Sequence, residues 1–236
     1  MGKTILLQAY STIVFDCDGV LLDSNRVKTD AFRTVASQFG DQAADELVRF
    51  HVANGGVSRY RKFEHLLGGI LGRATTEAEV QRLAGEYGKC VFEELLRCPV
   101  ATELSRLRAE SSHATWMVVS GGAEFELRKV FAERGLAELF DGGIHGSPAT
   151  KDEILGRQIE SGALTLPGLF LGDSRYDHEA AIRAGLDFIF VHGWTEFGTW
   201  RDYCTARGVL SIDRIGDLIE PPAVDEVPTT AWRALS

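Results

Sequence analysis

The chain has 236 residues, 44% hydrophobic and 25% charged, with 34 acidic against 25 basic side chains and a net charge of −9. That composition argues against disorder, collagen-like repeats and coiled coil, and a chain of this length buries a large core without disulfides or metal. Its acidity suits neither a nucleic-acid backbone nor an anionic membrane, which leaves cations and small molecules as the expected partners.

The opening Met1–Leu7 carries one positive charge and too short an apolar run for a secretory signal, and Leu6 stands where a myristoylation signal has Ser or Thr. No apolar run approaches the ~18 residues of a membrane span. Cys17, Cys90, Cys98 and Cys204 form no C-x-x-C pair and no zinc-type spacing, so reduced thiols and a cytoplasmic location are expected.

The first apolar run, Thr12–Phe15, leads into Asp16-Cys17-Asp18-Gly19. A continuous rather than alternating run suits a strand buried on both faces of a parallel sheet. Two carboxylates two residues apart at its end repel each other, and a hard cation such as Mg²⁺ relieves that repulsion. A turn with exposed carboxylates is the alternative. Cys17, between them, reads as a small buried filler.

Residues 25–97 show no convincing strand. Helical pattern covers roughly 25–39, 42–54, 58–71 and 75–97, punctuated by Gly40, Gly55-Gly56 and Gly72. One crossover needs far fewer residues, so this stretch is expected to be an inserted helical domain. Its net charge is +1, against −10 for the remainder. In it, Arg59, Arg61 and Lys62 crowd a helix start, where cations oppose the helix dipole. An anion-binding edge made by Arg59 and Lys62 explains the placement. A solvated face with an Arg61–Glu64 pair is the other explanation. His51 and His65 read as ordinary residues of the insert, Tyr60 and Phe63 as packing, and Val80, Leu83, Val91 and Leu95 as a core stripe.

After Pro99 and a helix over about 101–110, strand and helix alternate. Thr115–Val119 runs into Ser120-Gly121-Gly122, a hydroxyl with free N–H groups that, at a helix start, cradles an anion. A helix over Glu124–Glu133 follows, then a weaker strand at Gly143–Gly146 and the polar stretch holding Lys151, which by itself reads as solvated surface. Leu169–Leu171 runs into Gly172-Asp173-Ser174-x-x-Asp177, where helix capping accounts equally well for Asp177. A helix to Ala184, a strand over Asp187–Val191 and an extended tail from Glu220 complete the chain. This alternation predicts an α/β fold, a doubly wound parallel, Rossmann-like sheet whose ligands bind beyond the carboxyl ends of its strands. The polar residues fall at those ends. A cation, a carboxylate nucleophile, a hydroxyl with N–H donors and a lysine would converge there on a phosphoryl group.

Val14-Phe15-Asp16-Cys17-Asp18-Gly19-Val20-Leu21-Leu22-Asp23-Ser24 resembles the first motif of the haloacid dehalogenase superfamily. Ser120, Lys151 and Gly172-Asp173-x-x-x-Asp177 follow in the order of its other three, and the helical insert is similar to the small cap of one branch. The resemblance implies a core of residues 1–24 and 98–236 and a cap of 25–97. It implies that Asp16 attacks phosphorus and that Asp18 protonates the leaving oxygen and later deprotonates water. Mg²⁺ would sit among the Asp16 carboxylate, the Asp18 carbonyl and Asp173, with Asp177 behind or reaching it through water. Ser120 and the Gly121 N–H would hold phosphoryl oxygens, and Lys151 would neutralise the pair formed by nucleophile and phosphate. An acid at position 18 is similar to the family's phosphatases and phosphomutases. The activity implied is a Mg²⁺-dependent phosphatase for a small phosphorylated metabolite, such as a sugar or sugar-acid phosphate. A phosphomutase of the beta-phosphoglucomutase type is the alternative. A non-hydrolytic phospho-acceptor signalling domain is a remote one, since such domains lack the insert.

Overall fold

The computed structural model describes residues 7–219; the expectations for the opening segment and for the tail from Glu220 lie outside the described residues. Among the described residues, six parallel strands form one sheet: β1 (Thr12–Phe15), β2 (Thr115–Ala123), β3 (Ile144–Ser147), β4 (Gly168–Gly172), β5 (Asp187–Val191) and β6 (Leu210–Ile212), in the order β3-β2-β1-β4-β5-β6. The short β1 is central, with Thr12–Phe15 in register with Thr115–Val118 on one side and Gly168–Leu171 on the other. The strand order reverses beside β1, so a crevice opens beyond its carboxyl end.

Both faces of β1 are covered, which is why its sequence does not alternate. Ile13 and Phe15 join one apolar cluster, in which Phe15 packs against Trp116 at 4.6 Å and Phe140 at 5.7 Å. Val14 faces the other, with Met117, Phe170, Ile154 and Ala180. The core helices are α5 (Leu104–Glu110), α6 (Glu124–Glu133), α7 (Lys151–Glu160), α8 (Arg175–Arg183) and α9 (Trp200–Arg207).

The insert is helical: α1 (Asn25–Ala36), α2 (Asp41–Ala53), α3 (Arg59–Glu64) and α4 (Glu77–Arg97). The expected stripe of α4 is buried at Val80, Leu83, Val91 and Leu95, and Thr76 caps the helix, its Oγ1 accepting from the Glu79 N–H at 3.3 Å. The helix expected over 58–71 differs. After Glu64 the chain widens into a π-helical turn, His65–Ile70, closed by the Leu71 N–H on the Leu66 carbonyl at 2.9 Å. Gly68 and Gly69 fall within it, and weak helix formers lower the preference for the tighter winding.

The insert leaves and rejoins the core at one place. Leu22 bridges to Asp18 and to Val100, and the Asp23 N–H donates to the Pro99 carbonyl at 3.0 Å.

Candidate active site

Side chains distant in sequence meet beyond β1 and β4. The Asp16 N–H donates to the Leu171 carbonyl at 2.9 Å, so strand pairing continues past Phe15 and fixes the carboxylate at the crevice. β4 passes into Asp173 and then Ser174, the cap residue of α8. Ser174 Oγ accepts from the Asp177 N–H at 3.2 Å, while Asp177 Oδ2 accepts from the Ser174 N–H at 3.1 Å and hydroxyl at 2.6 Å. Asp177 thus caps the helix through Oδ2, and its other oxygen, Oδ1, pairs with Lys151. Lys151 opens α7 and is 1% exposed, so a solvated surface lysine is excluded. Its Nζ lies 2.9 Å from Asp16 Oδ1.

One carboxylate oxygen from each of Asp16, Asp173 and Asp177 lies within 4.8 Å of the others. Gly19 makes this possible. Its φ is +76°, and a Cβ there would sit 2.1 Å from Asp173 Oδ2, so only glycine lets the turn press against that carboxylate. Asn25 Nδ2 holds the same oxygen at 2.7 Å.

The cluster carries more negative charge than Lys151 offsets. Burial pushes the Asp16 carboxyl up to about 7; Lys151 opposes the rise, while Asp177 and Asp18 add to it. Burial, then Asp16 and Asp177, raise Asp173 well above the carboxylate range. Asp16 Oδ1, although close to Lys151, has no well-directed hydrogen-bond donor. Excess negative charge, oxygen donors alone and an unsatisfied buried oxygen fit a hard divalent cation such as Mg²⁺. Both oxygens of Asp177 are engaged, so Asp16 and Asp173 are the carboxylates free to hold it.

Asp18 faces a different environment. Its carboxylate accepts from the Ser24 hydroxyl at 2.6 Å and pairs with Lys28 of α1. Burial raises its pKa, but Lys28 and Ser24 outweigh burial and hold the group below the usual range. Lys28 was not anticipated from the sequence, although a cation in the first turn of a helix opposes the dipole and so asks for a nearby anion.

Ser120 and Gly121 depart from the expected placement. They lie in the last residues of β2, where the pairing with β3 slips between Val119 and Ala123, and not at the start of α6. Ser120 is fully buried, and its Oγ accepts from the Gly122 N–H at 3.0 Å. Gly121 faces the loop between α2 and α3: a Cβ there would lie 2.2 Å from the Gly56 carbonyl oxygen.

Core and insert line a cavity of about 330 Å³, to which the core brings Asp16, Asp18 and Asp173 and the insert Lys28, Arg59 and Lys62. Arg61 points outward to Glu64 at 2.9 Å, the solvated pair foreseen, while Arg59 and Lys62 turn inward and are 5% and 2% exposed. The Arg59 guanidinium is already held, by two bonds to Glu126 of α6 at 2.8 and 2.5 Å, and it lies 4.5 Å over the Tyr87 ring. Its charge therefore ties insert to core. Lys62 Nζ lies 2.6 Å from His51 Nδ1, so His51 also belongs to the cavity wall. No pattern in the sequence marked Glu126, His51 or Tyr87, because their roles arise from contacts across the fold. Cys17 is fully buried. Among the described residues, no helix is long and apolar enough to cross a membrane.

The sequence profile of haloacid dehalogenase-like hydrolases matches residues 10–185. Among solved structures, the chain is similar to a haloacid dehalogenase-like hydrolase from Bacteroides fragilis, with 21% identity, 89% of this chain and 99% of that one covered, and a TM-score of 0.67. It is also similar to a protein from Lactobacillus plantarum named as a phosphoglycolate phosphatase, with 17% identity, 90% and 99% covered, and a TM-score of 0.68. A protein from Bacteroides vulgatus named as a beta-phosphoglucomutase aligns with 16% identity, 86% and 84% covered, and a TM-score of 0.66. No curated protein matches the sequence.

Proposed function

The chain belongs to the haloacid dehalogenase-like hydrolases, and within that family we propose that it is a Mg²⁺-dependent phosphatase of small phosphate monoesters working through an aspartyl-phosphate. The observation that carries this reading is the Asp16–Lys151–Asp177–Asp173 cluster, whose Asp16 and Asp173 line the cavity between core and insert.

In this reading one Asp16 oxygen attacks phosphorus as the bond to the ester oxygen breaks, forming the acyl phosphate. Asp18 gives a proton to the departing oxygen; because Lys28 and Ser24 favour its ionised form, this half-reaction requires the negative charge of the bound ester to raise its proton affinity first. Water then attacks the aspartyl-phosphate, and Asp18, now a carboxylate, takes a proton from that water and frees inorganic phosphate. The pairing of Asp18 with Lys28 and Ser24 matches the second half-reaction, in which the group must be ionised. Mg²⁺, held by the Asp16 and Asp173 carboxylates and the Asp18 carbonyl, would neutralise the phosphoryl oxygens and keep Asp16 ionised. Ser120 and the Gly121 N–H are assigned to those oxygens, and Lys151 steadies Asp16 beside them. Arg59, through Glu126, holds the insert closed over the site, and Lys62 supplies a cation on the leaving-group side.

A phosphate-release screen over metabolite esters, with and without Mg²⁺, tests the reading. Release is expected only with the metal, and Asp16→Asn should lower turnover at least ~10³-fold, the scale on which loss of a covalent nucleophile registers. Full activity in that variant would remove Asp16 as nucleophile. An isomerised ester formed without phosphate release would favour the mutase instead.

A further inference from the structure

The buried cations in and beside the cavity differ in one respect. Lys28 has Asp18, Lys151 has Asp16 and Asp177, and Arg59 has Glu126. Lys62 is 2% exposed and has no acidic partner among the described residues. Its hydrogen-bond partner is His51, a buried ring packed 4.5 Å from Phe32. Burial, then Lys62 and Lys28, push the His51 pKa far down, so the ring is neutral and its Nδ1 can accept but brings no charge. The Phe32 ring, 5.3 Å from Lys62 Nζ, gives only the weak attraction of a π face. Burial acts most strongly on Lys62, and the charge acting next is another cation, Lys28; they push the ammonium down to about 7 against the weaker pull of Asp18 and Asp16, neither of which reaches it as an ion-pair partner. A buried charge lacking an opposite partner is costly, and structures rarely keep one unless a ligand completes it. His51 aims this ammonium, and both groups line the cavity that holds Asp16 and Asp18.

We infer that Lys62, oriented by His51, receives a second anionic group on the substrate, so that the ester hydrolysed carries a carboxylate or a further phosphoryl group on its leaving side. This rests on the phosphatase reading above and narrows it. The cavity, about 330 Å³, suits a molecule of that small size. Arg59 does not take this role, because Glu126 already neutralises it.

The test compares matched esters on the Mg²⁺-loaded full-length protein: 2-phosphoglycolate against ethyl phosphate for the carboxylate, and a sugar bisphosphate against its monophosphate for the second phosphoryl group. Wild type is expected to prefer the anionic member of one pair at least ~30-fold in kcat/KM, which is about the weight of one charge-assisted hydrogen bond. The pair that shows the preference identifies the group. Lys62→Met should bring that ratio to near one, mainly through KM on the anionic ester, and Lys62→Arg should restore part of it. Far-UV dichroism and the unfolding midpoint show whether each variant folds, and the Arg variant carries the test if the Met variant does not. No preference in wild type for either pair, or equal losses on both members in Lys62→Met, would overturn the inference while leaving the phosphatase reading intact. Absence of phosphate release from every ester, neutral ones included, would overturn both.

Discussion

Asp16 and Asp173 keep protons in the folded chain at pH values where ordinary carboxyls have lost theirs, because both are buried beside other carboxylates. The linkage has a definite sign. For Asp16, raised from 3.8 to about 7, the metal-free folded state binds a proton that the unfolded chain releases across that window, so stability falls as pH rises through it. Asp173 acts in the same direction. A divalent cation displaces that proton, so its stabilisation should grow with pH. Adding Mg²⁺ to about a hundredfold excess over its Kd should raise the unfolding midpoint by ~5–10 °C near pH 7.5, and by less than half of that near pH 5. Calorimetry at the two pH values checks it; equal gains at both would mean that the ion binds elsewhere. Lys28 belongs to this scale as well. It favours the ionised form of Asp18 by direct contact from the insert, and so the two acids of one short turn sit in different surroundings, one crowded by carboxylates and one paired with an ammonium.

The loop at Gly55-Gly56 and the end of β2 are fitted to each other without room for a methyl group. Gly121→Ala places a carbon 2.2 Å from the Gly56 carbonyl and must push the loop away. Its N–H is kept, so the variant reports on fit and not on a lost donor. A displacement of that size should lower kcat/KM ~10–100-fold with the far-UV spectrum unchanged; activity within twofold of wild type would show that the loop yields freely. This interlock also explains what the sequence revealed and what it concealed. Buried strands such as Thr12–Phe15 and Leu169–Leu171 were legible because burial on both faces leaves an unbroken apolar run, and Asp16 and Asp173 because they stand at strand ends, whereas Lys151 stood out only through its place in the order of the family motifs. The missed helix α7 has few apolar residues, and its clearest signal is the capping box in which Thr150 and Glu153 exchange bonds at 2.7 and 3.2 Å. The short edge strand β6 and helix α9 were missed because they contribute little apolar pattern to the sequence. Glu126 and His51 were illegible for another reason: each is polar inside a helix and acquires meaning only from the element packed across it.

Over the whole molecule, the core carries the excess acidity, and the insert brings Lys28, Arg59 and Lys62 over the crevice where strand order reverses. In the proposed phosphatase, a roof of this kind should exclude large esters. Phosphate release from a phosphorylated protein or a 5′-phosphorylated oligonucleotide should run at least ~100-fold below release from a small ester, since a misfitted substrate loses the positioning that the enclosed site supplies. Comparable rates would mean that the roof does not select by size. The two covalent passages between core and insert meet at Leu22, which bridges to Asp18 on one side and Val100 on the other. Asp18 is thus mounted where the insert joins the core. In the proposed phosphatase, a turn of the insert about that point would carry Asp18 with it and so couple the entry of an ester to the placement of the acid.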